Sequence, residues 1–266
     1  MKRRVARKSA TSKTPPNSQP SLELTTPALV GLSACFIWSG FVRSGFGFGG
    51  LVLMLPLALL FVDSPIHIIP ITAVHVFTTG VVTVLLRFNV IAWRQIFHIM
   101  GVMLVPVVIG LLGLISLPDA WLVGLVQVIV GCYAINYIRP FKTLVGGRLA
   151  DYATIAFGGY LSGLALLGSP LIVPVAGRWI ARERLRDSLL ALWVLLAPFK
   201  IVMLFANGVD FHWDWQLWLF PIHLVGYGCG LLFHAKLLQH RSEVFYRIIG
   251  WMLLAVVTVG LWQNYL

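Results

Sequence analysis

Carboxylates are scarce in this chain: its 266 residues hold nine Asp and Glu against 20 Lys and Arg, and charged residues make up only 11% of it. A soluble domain carries about 25%. With 59% of residues hydrophobic, water is excluded as the main solvent of the folded chain. The acidic residues are also missing from where a cation carrier needs them. Glu23, Asp63, Asp119, Asp151, Glu183, Asp187, Asp210, Asp214 and Glu243 fall in the N-terminal tail, in loops or at the edges of apolar runs, whereas cation pathways and carboxylate proton relays place such groups inside the span. Cysteine is equally thin. Cys35, Cys132 and Cys229 stand alone in apolar runs without paired or metal-like spacing and read as buried small hydrophobes. No paired acids, Ser/His/Asp set or metal-ligand spacing gives catalysis a starting point, so an enzyme, a metal and a cofactor are not expected.

What is present is long apolar sequence. Runs at 28–62, 66–86, 95–115, 119–138, 151–177, 188–206, 216–237 and 244–264 are bounded by charges or turn residues, and several reach the roughly 20 residues that cross about 30 Å of hydrocarbon. The expected fold is all-α and polytopic, with eight hydrophobic segments in the cytoplasmic membrane and the lipid bilayer as its surroundings. The formal charge of +11 does not point to nucleic acid, because the basic residues sit in the tail and in short loops, as in cytoplasmic segments of membrane proteins. Residues 1–27 hold Lys2, Arg3, Arg4, Arg7, Lys8 and Lys13 with no apolar core directly behind them. They read as a disordered, uncleaved cytoplasmic tail rather than a signal peptide.

The first and fifth segments are interrupted by glycine. Ser44, Gly45, Gly50 and Pro56 recur at the same spacing as Ser162, Gly163, Gly168 and Pro174, and Trp93 answers to Trp215. This predicts two four-segment repeats, 28–138 and 151–266, joined by a cytoplasmic linker at 139–150. Loops 87–94, 139–148, 178–186 and 236–241 are basic, whereas those near Asp63, Asp119 and Asp210 with Asp214 are not. Matching loops thus have opposite character, and the repeats are expected to be inverted in the membrane. The fifth segment is expected to fold back. Symmetry asks the same of the first segment, but the basic tail favours a net crossing there.

Paired, broken segments point to a binding site, because unwound backbone at membrane depth is tolerated only against protein or a cavity. A helix restarting after a break presents N–H groups and a positive dipole end to an anion. The expected substrate-binding residues are therefore Arg43, Ser44, Gly45, Gly47, Gly49 and Gly50 from the first break, and Ser162, Gly163, Gly168 and Ser169 from the second. Lys200 adds a second intramembrane cation, and Thr72 with His75 a polar lining in which a histidine could carry a coupling proton. Glycines could instead serve close helix packing, and buried histidines a hydrogen-bonded core.

The duplicated glycine-rich stretches from Gly45 to Pro56 and from Gly163 to Pro174, with Val90-Ile-Ala-Trp93 and Leu117-Pro-Asp119, resemble the sulfite exporter TauE/SafE family over nearly the whole chain after residue 28. The resemblance implies transport of a small sulfur-containing anion such as sulfite or sulfoacetate. The second glycine cluster is sparser here than the family pattern. The expected function is a secondary transporter exporting a small sulfur-containing or organic anion by alternating access. A passive anion channel and a non-transporting subunit or sensor are the alternatives.

Overall fold

The computed structural model describes residues 25–139, 147–239 and 243–265. The basic tail through residue 24, the centre of the linker and Arg241 lie outside them. Among the described residues the chain is entirely helical: α1 (Thr26–Phe46), α2 (Gly50–Ala58), α3 (Pro65–Leu86), α4 (Trp93–Ser116), α5 (Asp119–Ile138), α6 (Arg148–Ala165), α7 (Ser169–Trp179), α8 (Arg182–Ala206), α9 (Trp213–Gln239) and α10 (Glu243–Tyr265). The eight apolar runs become ten helices because each glycine-interrupted run is two helices separated by three residues, 47–49 in one and 166–168 in the other. Among the described residues five helices, α1, α3, α4, α5 and α8, are long and apolar enough to cross a membrane.

Both interrupted runs fold back on themselves. Gly50 lies against Ser39 and Arg43, and Phe61 reaches Gly31, so α2 returns alongside α1 to the end where the chain entered. Gly158 meets Ile172 in the same way, and Arg178 of α7 pairs with Asp151 at the start of α6. The first segment therefore makes no net crossing, contrary to the expectation drawn from the basic tail. Turning costs little at Gly47 and Gly49, whose φ values are +81° and +79°, a region closed to most side chains. At the second tip the left-handed residue is Leu166, φ +56°, a conformation that costs an L side chain about 1–2 kcal/mol.

The hairpins enter from opposite ends of the bundle. One end carries Asp63, Asp119 and Asp210; there the Ser64 hydroxyl donates to Asp119 at 2.5 Å, and His67 and His212 share a hydrogen bond of 2.8 Å. The other carries the arginines: Arg87 pairs with Asp187 at 3.1 Å, and Arg184 donates to the Val90 and Ile91 carbonyls at 2.6 and 2.8 Å. The α1/α2 hairpin opens at the acidic end, and α6/α7 at the arginine end.

Each hairpin's long helix docks on a helix from the other half of the chain, α1 on α9 and α6 on α4, while α3 packs on α8 and α5 on α10. Glycine makes both exchanged contacts close. Gly226 and Gly230 of α9 sit on the backbone of Ile37 and Phe41, and Gly159 and Gly163 of α6 on Met103 and Val107. In lipid, where apolar burial between helices gains nothing, such small-residue seams supply the packing. Cys35 is buried, but Cys132 and Cys229 are exposed on the flanks of α5 and α9, so only one of the three is the core residue expected. Gly163→Val places a side chain into the Val107 carbonyl and is expected to destabilise the fold by about 1–3 kcal/mol. A lowered melting temperature of the detergent-solubilised protein checks this.

Candidate functional site

The two hairpin tips share the wall of one cavity inside the bundle. Its wall combines Arg43, Phe48, Gly49 and Gly50 from the first tip with Ser162, Leu166 and Ser169 from the second. Ala73 and Val76 of α3, Val107 of α4, and Trp193, Leu196, Ala197 and Lys200 of α8 complete it. The cavity offers about 40 Å³ to the centres of water-sized molecules, where a single water needs about 10–15 Å³. The lining is mostly apolar, two of its side chains are cationic, and among the described lining residues none is acidic.

The polar atoms of this wall divide into those satisfied by protein and those that are not. Lys200 donates to the Ser162 carbonyl at 3.1 Å and so caps the carbonyl end of α6. The equivalent carbonyl of the first tip, Ser44, accepts from Nε and Nη2 of Arg186 at 2.9 and 2.6 Å. Arg186 also pairs with Asp187 at 3.0 Å, and Asp187 with Arg87 at 3.1 Å. Tyr133 of α5 donates to the Leu167 carbonyl at 3.0 Å. By contrast, Arg43 is 7% exposed, and its Nε and Nη2 have no protein partner; neither does the Ser169 hydroxyl. A buried guanidinium left unpaired costs several kcal/mol. It is placed where helices α2 and α7 begin, each of whose first turns leaves N–H groups without intrahelical acceptors.

Of the residues singled out in the sequence, Arg43, Gly49, Gly50, Ser162, Ser169 and Lys200 stand together in the cavity wall. The others stand behind it. Ser44 offers its carbonyl to Arg186, Gly45 is buried in the last turn of α1, and Gly47 backs onto Arg186. Gly163 is pressed on Val107, and Gly168 on Gly158 and Ser162. Thr72 turns its hydroxyl back to the Ile68 carbonyl at 2.9 Å. His75 faces α1 and α9 instead, its ring 5.0 Å from that of His223.

Phe48 and Arg186 were not singled out. Phe48, between the two left-handed glycines, lines the central cavity and also a wide cleft between α5 and α7 that holds Tyr137, Arg178 and Arg182 at the arginine end. Its position between Gly47 and Gly49 was the available signal. Arg186 read only as one of several loop arginines. Its bond to Ser44 depends on a fold-back that charge counting did not give.

A family model described as sulfite exporter TauE/SafE matches residues 32–262. No curated protein and no solved structure matches the chain.

Arg186→Gln removes the cation from the Ser44 carbonyl and leaves Asp187 one partner short. The expected loss of stability is about 1–3 kcal/mol, seen as a lower melting temperature, with Arg186→Lys retaining part of it.

Proposed function

Since the chain belongs to the sulfite exporter TauE/SafE family, whose members are membrane transporters of sulfite-type anions, we propose that it carries a small sulfur oxyanion or organic sulfonate through the cavity between its hairpin tips. The observation that carries this reading is the Arg43 guanidinium, buried at that cavity with two nitrogens unpartnered and no carboxylate in the wall. An anion completes that site. It would take charge-assisted hydrogen bonds from Arg43, a hydroxyl from Ser169, and the dipole ends of α2 and α7. Lys200, already bound to the Ser162 carbonyl, adds its field more than a contact. The apolar remainder excludes water, which strengthens each of these interactions.

Transport follows from the same parts. The two repeats, 28–138 and 151–266, are inverted relative to one another, and the exchanged docking of α1 on α9 and α6 on α4 supports that relation. In this arrangement rocking of one repeat against the other exposes a midplane site to each side in turn. The arginine-lined cleft adjoins the site, with Phe48 in the wall of both. Basic loops mark the cytoplasmic side, so anions enter from the cytoplasm through an attractive mouth and leave at the acidic end, as export requires. The same assignment moves the tail. α1 starts at the acidic end, which favours a tail on the side opposite the loop arginines, and the eleven Arg and Lys of the basic loops outweigh the six of the tail. Residues 1–24 then lie outside the cytoplasm, in place of the cytoplasmic tail read from its charge alone.

Counterflow of labelled sulfite and sulfoacetate in proteoliposomes tests the carrier. Saturable exchange is expected, and Arg43→Gln is expected to reduce it by about 100-fold or more, the loss of one charge-assisted contact with a bound anion. Unsaturable flux would indicate a channel, and no flux from folded protein a non-transporting subunit. A cysteine placed at Ser12 in intact cells should react with an impermeant maleimide; protection until lysis would return the tail to the cytoplasm.

A further inference from the structure

Behind the anion cavity, α1, α3 and α9 enclose a second polar group that the proposed carrier leaves unused. His75 of α3 and His223 of α9 are 0% and 2% exposed, and their rings lie 5.0 Å apart. Phe36 closes on His75 at 5.3 Å and Phe220 at 5.1 Å. Nδ1 of His223 is 3.3 Å from the Phe36 carbonyl. Neither ring nitrogen of His75, nor Nε2 of His223, makes a hydrogen bond of ordinary length and angle; the Gln216 side chain, which also donates to the Phe211 carbonyl, is the polar group that approaches His75.

Such a site is costly for a structural core. A buried polar nitrogen without a partner forfeits about 1–3 kcal/mol, and two phenylalanines would fill the space without that loss. The groups that face the pair are few. From α1 comes Arg43, the buried cation within electrostatic reach of both rings, and from α9 come Gln216 and Tyr227. Tyr227 is held by Thr83 at 2.7 Å. On α3 itself the neighbours are the hydroxyls of Thr72 and Thr79, the latter bonded to the His75 carbonyl at 2.6 Å. α8 meets α3 there through Val194, while its Lys200 is turned to Ser162. Among these described groups none is a carboxylate.

We propose that the His75–His223 pair is a proton-binding site that loads together with the anion, so that the carrier moves anion and proton as one set. This rests on the anion reading of the Arg43 cavity. The link is charge. An imidazolium at the pair is repelled by Arg43 while the cavity is empty, and that repulsion is cancelled once an anion sits against Arg43 from the other side. In a low-dielectric interior both effects reach across several ångströms. Linkage makes them reciprocal: the anion favours the proton as much as the proton favours the anion. The proton comes from water, binds the lone pair of one ring nitrogen, and is shared across the pair. It returns to water when the anion leaves. A monoanion then crosses with no net charge.

The test counts protons. The purified full chain in weakly buffered detergent near pH 7 is mixed with sulfoacetate, whose own charges stay fixed there, while a pH indicator and calorimetry read protons and anions bound. About one proton taken up per anion bound is expected for the wild type, as linkage between two sites requires, with the ratio falling several-fold in His75→Gln and His223→Gln. The ratio is normalised to anion bound, so weaker binding in a variant does not move it. Ring-nitrogen NMR of the histidine-labelled wild type is read in parallel and needs no substitution. Sulfoacetate should produce an imidazolium signal that exchanges slowly with solvent. Anion binding without proton uptake, an unchanged ratio in both variants, or no such signal overturns the proton site and leaves the carrier standing. Failure of the wild type to bind any anion overturns the carrier itself.

Discussion

Two helices end inside this bundle, and the rest of the structure depends on how their carbonyl ends are satisfied. A helix terminus in lipid leaves polar groups that water cannot reach, each costing several kcal/mol if unpaired. Here a single helix answers both. α8 presents Arg186 to the Ser44 carbonyl and Lys200 to the Ser162 carbonyl, about 21 Å apart along its axis at 1.5 Å per residue. Two hairpins inserted from opposite ends are thus tied to one rod. Each tip is held where that rod carries a cation, the first beside Arg186 near the arginine end and the second beside Lys200 farther along α8. Asp187 fixes Arg186 and reaches Arg87, so the end of α3 is held by the same network.

The cavity follows from this capping. Lys200 and Arg186 keep their charge but spend donors on carbonyls, and Arg43 is the cation of this site whose Nε and Nη2 remain unpartnered. Its guanidinium has no carboxylate to pair with, and the sequence as a whole keeps acids out of the spans. Adding a buried aspartate beside Arg43 would satisfy it permanently and close the site to anions. The scarcity of carboxylates and the loneliness of Arg43 are therefore one design feature, seen in composition and again in geometry. Phe48 stands between this charge and the arginine-lined cleft, on a turn whose two glycines let the backbone reverse within three residues.

Much of this was legible in the sequence because membrane constraints are severe. Apolar run length gave the eight segments, and the repeated Ser-Gly spacing marked the two that break. Arg43 and Lys200 stood out because a charge in a span needs a reason. Less legible was anything that depends on which helix faces which. Gly163 and Gly168 carry the same letter as Gly49 and Gly50, yet they are pressed on Val107 and Gly158, and close packing and ligand approach use glycine for the same lack of a side chain. Thr72 and His75 share a helix with the cavity-lining Ala73 and Val76 but look the other way. The basic tail argued for a crossing that the fold-back of α2 removes, since charge counting sees loops and not where a hairpin returns.

The two tips are not equivalent, and the difference bears on how the carrier moves. The first turns through Gly47 and Gly49 at no steric cost, and its carbonyl end is gripped by a bidentate arginine backed by an aspartate. The second turns through Leu166 in a left-handed conformation and is held by one lysine bond and by Tyr133. Strain at such a position persists only where the surroundings enforce it. The first tip is an unstrained turn on a firm anchor, with Ser44 tied to α8 through Arg186. The second is a strained turn with a lighter anchor, one bond each from Lys200 and Tyr133. Alternating access in the proposed carrier need not be symmetric, because its two tips differ in both turn and anchor.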